Sequence, residues 1–326
     1  MKEKILNALL GKTDYVSGQE LCARFGVSRT AIWKVMNQLK EDGYEIEAVS
    51  HKGYRIVSYP DKITAEEVAS RMKTRWAGSK IEFLEKVDST NNYAKKIAEN
   101  GALSGTLVLT ENQYGGRGRR GRIWENPPGS SIAMTLIVKP KLPPNHASMM
   151  TLVMGIAVAR ACREISGIDM KIKWPNDIVA QGKKVCGILT EMSAEPDSIH
   201  YVVIGVGINV NIDAFPKELQ EIAASLQSLT GKTFHRADLI SKCMEEFEDC
   251  YQEFLKTEDL SRLMKEYNSL LINKDQKVCV MEPKGRYTGT ALGVDANGEL
   301  IVKKDSGETV SVYAGEVSVR GVYGYV

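Results

Sequence analysis

The segment at residues 115–122 reads GGRGRRGR and crowds four arginines between glycines. It lies between two apolar runs, residues 106–110 and 131–138, which are typical of buried strands. A loop held between two buried strands belongs to a folded domain, which disfavours a disordered nucleic-acid tail or an inert surface loop. Glycine lets the backbone approach a ligand closely, and arginine binds carboxylate and phosphate groups through paired donors. The segment therefore predicts an anion-binding loop inside an ordered domain.

The size and composition of the chain predict two or three domains. Its 326 residues exceed what one core usually needs, and its net charge of +2 means that nucleic acid would have to bind through local patches. The six cysteines are scattered without a CxxC pair, so we expect reduced thiols rather than zinc ligands or disulfides. We expect a cytoplasmic protein with no membrane contact, because no apolar run approaches the ~18 residues of a membrane span and no signal-peptide pattern is present.

Residues 1–62 predict a winged helix-turn-helix DNA-binding domain. After a first amphipathic helix, Ser17 and Ser28 are placed to begin two further helices, and Gly26 separates the two. A hairpin with its tip at residues 50–52 follows and supplies the wing. A helical protein-interaction module is the alternative interpretation. The polar face of the third helix and the hairpin tip provide the predicted DNA contacts, which are Ser28, Arg29, Thr30, Trp33, Lys34, Asn37 and Lys52.

The remainder of the chain predicts two further domains, at residues 63–272 and 273–326. The first is an α+β domain in which neighbouring strands are followed by helices, and we expect the helices to cover one face of its sheet. The second has short strands separated by turns and predicts a small β-barrel. The predicted strands of the middle domain are residues 80–87, 106–110, 131–138, 171–174, 185–190 and 201–209, and its main helices are residues 91–99, 147–165 and 236–255.

Four polar clusters accompany the arginine loop, at residues 88–91 (DSTN), 171–177 (KIKWPND), 183–189 (KKVCGIL) and 204–211 (IGVGINVN). Taken alone, DSTN is more simply a helix N-cap. Together the clusters supply many cations and amides, but the chain lacks a nucleophile with a paired base and lacks the P-loop, HExxH and GxSxG motifs. Such a site suits the joining of two anionic substrates, for example the adenylation of a carboxylate by ATP, in which arginine, lysine and Mg²⁺ stabilise charge.

These motifs, in this order and with Trp124 after the arginine loop, resemble those of the biotin protein ligases. With the N-terminal domain, the chain resembles the bifunctional bacterial form that also represses the biotin operon. The resemblance implies a class II synthetase-like catalytic domain and an SH3-like C-terminal barrel. It implies biotin, ATP and Mg²⁺ as ligands, with biotinyl-5′-AMP as intermediate and corepressor. It implies a lysine of the biotin carboxyl carrier protein of acetyl-CoA carboxylase as acceptor, operator DNA as a partner, and a homodimer formed on corepressor binding.

The resemblance also implies roles for individual residues. Lys184, Arg119 and Lys173 are the implied catalytic residues, and Asp177 is implied either to bind Mg²⁺ or to steer the acceptor lysine. The implied biotin-binding residues are Ser89, Thr90, Asn91, Gln113, Gly116, Arg117, Gly118, Arg119 and Lys184. The implied ATP-binding residues are Arg119, Arg122, Trp124, Lys173, Asn176, Asn209 and Arg320, with Glu316 close to the ATP.

Two alternatives compete with a ligase that also represses. One is a biotin-sensing repressor without ligase activity, which the intact arginine loop, Lys173 and Lys184 disfavour. The other is a lipoate-ligase-like enzyme, which the winged helix and the GRGRRGR sequence disfavour.

Overall fold

The computed structural model describes residues 1–10, 12–125, 127–282, 285–314 and 318–321. The N-terminal part forms a winged helix-turn-helix, as predicted. Ser17 accepts a hydrogen bond from the backbone N–H of Glu20, Ser28 accepts one from Ala31, and Gly26 ends the second helix at φ 65°. The elements of this part are α1 (Lys2–Leu9), α2 (Gly18–Phe25), α3 (Arg29–Glu41), β1 (Glu45–Val49) and β2 (Gly53–Ser58).

The central part is built on a mixed seven-stranded sheet with the order β3-β4-β5-β9-β8-β7-β6, in which β3 and β4 are parallel and the other neighbours antiparallel. Short 3₁₀ turns occur at Arg119–Gly121 and Pro144–Met149. Its elements are α4 (Ala65–Ala69), β3 (Lys80–Val87), α5 (Thr90–Glu99), β4 (Thr106–Gln113), β5 (Ser131–Val138), α6 (Met150–Ser166), β6 (Lys171–Lys173), β7 (Asp177–Ala180), β8 (Lys183–Glu195), β9 (Ser198–Asn209), α7 (Leu226–Thr230), α8 (Arg236–Leu255) and α9 (Met264–Leu270).

Helices cover both faces of this sheet, so the prediction of helices on one face is wrong. The helices α6 and α8 pack against the face that carries Leu107 and Leu109. The helix α5 packs through Ala94 on the opposite face, against Val108 and its neighbours. Alternate residues of a strand face opposite sides, and an unbroken apolar run indicates burial on both sides. The second helical layer follows from that pattern in β4.

The C-terminal part is a five-stranded antiparallel sheet with the order β13-β12-β11-β10-β14. It packs on the central part next to β6, where the indole N–H of Trp174 donates to the carbonyl of Gly298 at 3.1 Å and Asn273 accepts from the backbone of Trp174 at 3.0 Å. The domain boundaries at residues 62 and 272 stay a prediction. The strands are β10 (Lys277–Glu282), β11 (Gly285–Val294), β12 (Leu300–Lys304), β13 (Thr309–Val312) and β14 (Ser318–Gly321).

The segment that follows the winged helix is tied to the sheet by a buried arginine. Arg236, fully buried at the start of α8, forms ion pairs of 2.8 Å with Asp61 and with Glu111. Asp61 also accepts from the side chain of Asn211, directly beyond β9. Breaking such a pair leaves a buried charge uncompensated, so these contacts hold the linker in one position. Within the described residues, no helix has both the length and the apolarity needed to cross a bilayer.

Candidate active site

A cavity of about 520 Å³ opens above β5, β8 and β9, and the predicted site residues converge on it although they come from distant parts of the chain. Gly116 lies outside its lining, and a Cβ there would come within 2.6 Å of the amide nitrogen of Gln113. Glu316 lies outside the described residues. The predicted residues that line the cavity are Ser89, Thr90, Asn91, Gln113, Arg117, Gly118, Arg119, Arg122, Trp124, Lys173, Asn176, Asp177, Lys184, Asn209 and Arg320.

Two lysines and an aspartate form the charged centre of the cavity. The Nζ of Lys184 lies 2.6 Å from a carboxylate oxygen of Asp177, across the antiparallel pair of β7 and β8. Lys173 is only 5% exposed, and this burial lowers its pKa to about 8, although Asp177 acts in the opposite direction. The nearby positive charges of Lys184 and Arg320 contribute to this lowered pKa. Crowded cations of this kind favour an anionic ligand over an empty site.

Arg119 connects the arginine loop to the C-terminal part. Its guanidinium donates to the backbone carbonyl of Ala314 at 2.5 Å and to the side-chain oxygen of Asn176 at 3.4 Å. Burial lowers the pKa of Arg119, although Asp177 partly offsets the effect. The side chain therefore links the cavity wall to Ala314, which follows β13 of the C-terminal sheet.

The cavity wall includes a glycine floor, formed by Gly187 of β8 and by Gly205 and Gly207 of β9, against which other side chains lie. A Cβ at Gly207 would come within 2.4 Å of the indole of Trp124, and one at Gly205 within 2.2 Å of the side-chain oxygen of Asn91. The Nζ of Lys184 lies 5.3 Å from the centre of the Trp124 ring. Any side chain at these two positions would collide with site residues, which explains why β9 has glycine at both of them.

The polar end of the cavity lies at the start of α5. Ser89 caps this helix and accepts from the backbone N–H of Asn92 at 3.4 Å. The side-chain oxygen of Gln113 accepts from the backbone N–H of Thr90 at 2.9 Å and lies 3.1 Å from the hydroxyl of Thr90. The DSTN segment is therefore both the N-cap and part of the cavity wall.

The opposite end of the cavity is bounded by the chain after β9. Residues 222–224 run beside β8, where the backbone N–H of Lys184 donates to Ile222 and its carbonyl accepts from Ala224. The side chain of Asn209 also donates to the carbonyl of Ala224, at 3.2 Å. Phe215, which lies earlier in the chain after β9, also lines the cavity. The position of Lys184 is thus set by a backbone pairing that the sequence did not indicate.

Comparison with known proteins identifies the chain. Three family models match it, described as HTH domain at residues 2–55, Biotin/lipoate A/B protein ligase family at residues 83–209, and Biotin protein ligase C terminal domain at residues 276–320. The bifunctional ligase/repressor BirA of Bacillus subtilis is 36% identical to the chain over 94% of both proteins. The chain belongs to the bifunctional biotin ligase/repressor family.

Two further proteins show how widely the similarity extends. The bifunctional ligase/repressor BirA of Escherichia coli is 28% identical over 97% of this chain and 96% of its own length. The biotin protein ligase from Aquifex aeolicus, solved in complex with biotin and ATP, superposes with a TM-score of 0.65 at 28% identity. That structure covers 74% of this chain, and this chain covers 99% of that one. The predictions of the family and of the three-part fold are confirmed.

The residues predicted to contact DNA lie on the surface of the winged helix-turn-helix. Trp33 is 57% exposed on α3, and Asn37 is half-buried on the same helix. His51, at φ 64°, and Lys52 form the exposed tip of the hairpin. Tyr15 fixes the base of this hairpin, because its hydroxyl donates to Glu47 at 2.6 Å. The arrangement leaves a helix face and a wing tip free for a duplex.

Proposed function

We propose that this chain joins biotin to ATP as biotinyl-5′-AMP and transfers the biotin to a lysine of the biotin carboxyl carrier protein of acetyl-CoA carboxylase. We propose also that biotinyl-5′-AMP is the corepressor through which the winged helix binds the operator of the biotin genes. The convergence of Lys184, Lys173 and Arg119 in one cavity of a chain with a winged helix is the observation that carries the proposal.

In the first step, a carboxylate oxygen of biotin attacks the α-phosphorus of ATP and pyrophosphate leaves. The main obstacle is repulsion between two anions, so fixed cations lower the barrier most where charge develops. Lys184 is assigned to the reacting carboxylate and α-phosphate, and Lys173 and Arg122 to the phosphates. In the second step, the amine of the acceptor lysine attacks the acyl carbon and AMP leaves.

Arg119 and the glycine floor are assigned to holding the substrates. The polar end at Ser89, Thr90 and Gln113 is assigned to the ureido ring of biotin, because it offers both donors and acceptors. Arg119 lies between this end and the C-terminal sheet, where it can hold the adenylate between the two steps. Burial makes its charge-assisted hydrogen bonds stronger than they would be in water.

Mg²⁺ is assigned to the phosphates of ATP rather than to a protein cage. The described residues contain no group of three or more His, Cys, Asp or Glu side chains that could hold a metal ion. Mg²⁺ often keeps its waters and binds through one carboxylate and substrate phosphates, which fits Asp177 as the protein ligand. When bound, the ion supplies positive charge that offsets the charge of the leaving pyrophosphate.

Repression requires the adenylate to favour the DNA-binding form of the protein. We infer that this form is a homodimer, because two copies of a winged helix reading two half-sites bind more tightly than one. The edge strand β3 is a candidate for the contact between subunits. The corepressor shifts the equilibrium only if it binds the dimer more tightly than the monomer.

The test is a biotinylation assay with purified protein, biotin, MgATP and the carrier domain, followed by operator binding with and without biotin. Transfer of biotin together with biotin-dependent DNA binding supports both activities. Absence of transfer with intact DNA binding would favour a sensor without ligase activity. Efficient transfer of lipoate in place of biotin would favour the lipoate-ligase alternative.

The low pKa of Lys173 predicts a pH dependence of adenylation. Lysine is cationic below its pKa, so kcat/KM for MgATP is expected to fall as the pH rises above about 8, where Lys173 loses its proton. Bound phosphates favour the charged lysine, so kcat should fall only at higher pH. In Lys173→Arg the decline near pH 8 should disappear, because arginine stays protonated. An unchanged pH profile in this variant, measured by pyrophosphate exchange, would contradict the role of Lys173.

Lys34 is expected to contribute to operator binding through a phosphate. Lys34→Ala should weaken operator binding about tenfold and reduce the salt dependence by about one charge per half-site. Lys40→Ala is the matched control, since Lys40 is an exposed lysine of α3 outside the predicted contacts. Binding is measured by fluorescence anisotropy at several salt concentrations, and biotinylation should be normal in both variants. Equal losses in the two variants would contradict a specific contact by Lys34.

A further inference from the structure

A set of buried and partly buried hydrogen bonds lies behind the polar end of the cavity and includes two residues without a predicted role, Thr135 and Glu191. The amide nitrogen of Asn91 donates to the carbonyl of Leu189 at 3.1 Å and to a carboxylate oxygen of Glu191 at 2.8 Å. The other carboxylate oxygen of Glu191 accepts from Lys95 at 2.8 Å. Asn91 is therefore held by partners on β8.

These partners determine which way each hydrogen points. A carbonyl and a carboxylate paired with lysine can only accept, so the side-chain nitrogen of Asn91 faces them and its oxygen faces Thr135, 2.7 Å away. An amide oxygen can only accept, so the single hydroxyl hydrogen of Thr135 points to Asn91. Thr135 is completely buried, which makes an unpaired group there costly.

The same logic extends to Thr90 at the cavity wall. The hydroxyl oxygens of Thr135 and Thr90 are 2.8 Å apart, and Thr135 has already donated its hydrogen. The other neighbour of the Thr90 hydroxyl is the carbonyl oxygen of Gln113, which also only accepts. The hydrogen of Thr90 is therefore used within the protein, and Thr90 presents lone pairs to the cavity.

We propose that Thr135 and Glu191 are positioning residues that fix Thr90 as a hydrogen-bond acceptor and so select a ligand with a ring N–H at this point. Asn91 transmits the orientation from Glu191 to Thr135. The inference rests on the proposed function, in which a cyclic urea occupies this end of the cavity. A ring N–H of a urea can donate a hydrogen bond to the Thr90 oxygen. A ring oxygen in its place would instead bring its lone pairs against those of Thr90.

The test compares biotin with the two cyclic carbamates in which one ring N–H is replaced by oxygen, by calorimetry on the full chain. The carbamate whose oxygen faces Thr90 should bind the unmodified protein about a hundredfold more weakly than biotin. In Thr135→Val, the hydrogen of Thr90 keeps only its longer contact to Gln113 and becomes freer to donate into the cavity. Biotin should then bind about tenfold more weakly and the carbamate nearly unchanged, which reduces the discrimination about tenfold.

Three further variants distinguish an effect on the orientation of the Thr90 hydroxyl from a general effect on the folded structure. Thr135→Ser retains the hydroxyl and should restore the discrimination. Glu191→Ala changes a half-exposed residue, so it is expected to fold, and it should reduce the discrimination about threefold because the Asn91 amide can then turn. Lys95→Ala removes only the outer ion pair and should leave the discrimination unchanged.

Two results would overturn the inference while leaving biotin binding intact. One is an equal loss of biotin and carbamate affinity in Thr135→Val, which indicates a structural role alone. The other is unchanged discrimination in both Thr135→Val and Glu191→Ala. Failure of the unmodified protein to bind biotin would instead overturn the proposed function on which the inference rests.

Discussion

We expect Lys184→Ala to slow the formation of biotinyl-5′-AMP by about a thousandfold, at the upper end of the loss seen when one transition-state contact is removed. The Nζ of Lys184 lies 2.6 Å from Asp177 inside the cavity. Removal of the lysine deletes a cation and also removes one of the positive charges that offset Asp177 beside the incoming phosphates. Both changes raise the energy of a transition state in which negative charge accumulates. The measurement is the exchange of pyrophosphate into ATP that depends on biotin.

The control for this variant is Lys171→Ala, two residues before Lys173 on β6. Lys171 pairs with Asp169 at 3.4 Å and does not line the cavity, so its exchange rate should remain within about twofold of the unmodified protein. Thermal unfolding of both variants establishes that the domain is intact. A normal exchange rate in a folded Lys184→Ala protein would show that Lys184 is not required for adenylation.

Much of the fold could be predicted because its elements carry strong periodic signals. The strands at residues 80–87 and 131–138 and the helix at residues 236–255 were predicted with the bounds that the structure has. Strand β7 was missed because it has only four residues directly after a proline turn. The packing of α5 on the second face of the sheet was not predicted, although the apolar run in β4 indicates burial on both faces.

Less of the site could be predicted, because its geometry depends on contacts between distant segments. The glycines at 205 and 207 are evident in the sequence, but the side chains that they accommodate, Asn91 and Trp124, lie far away along the chain. Thr135 gives one weak signal, as a polar residue within the apolar run of β5. The contact of Arg119 with Ala314 has no sequence signal, since its acceptor is a backbone carbonyl.

The second large effect is expected at Arg119, where Arg119→Gly should release biotinyl-5′-AMP about a hundredfold faster. Truncating one side of a buried, hydrogen-bonded charge pair typically acts on dissociation and costs a few kcal/mol, and each 1.4 kcal/mol is tenfold. The guanidinium of Arg119 joins the loop to Ala314 and Asn176, so its loss also releases the loop from these two contacts. The rate is measured by preforming the adenylate from labelled biotin and following its release after dilution into unlabelled biotin and ATP.

Arg120→Gly provides a matched control because it makes the same change at the adjacent position. Arg120 is exposed and has a φ of 59°, a left-handed conformation that glycine adopts without strain. Its replacement therefore increases loop flexibility and removes a positive charge without removing the contacts of Arg119, and release should change by less than about threefold. If both variants released the adenylate equally fast, loop stiffness or overall charge would account for retention. If neither did, Arg119 would not be required to hold the adenylate.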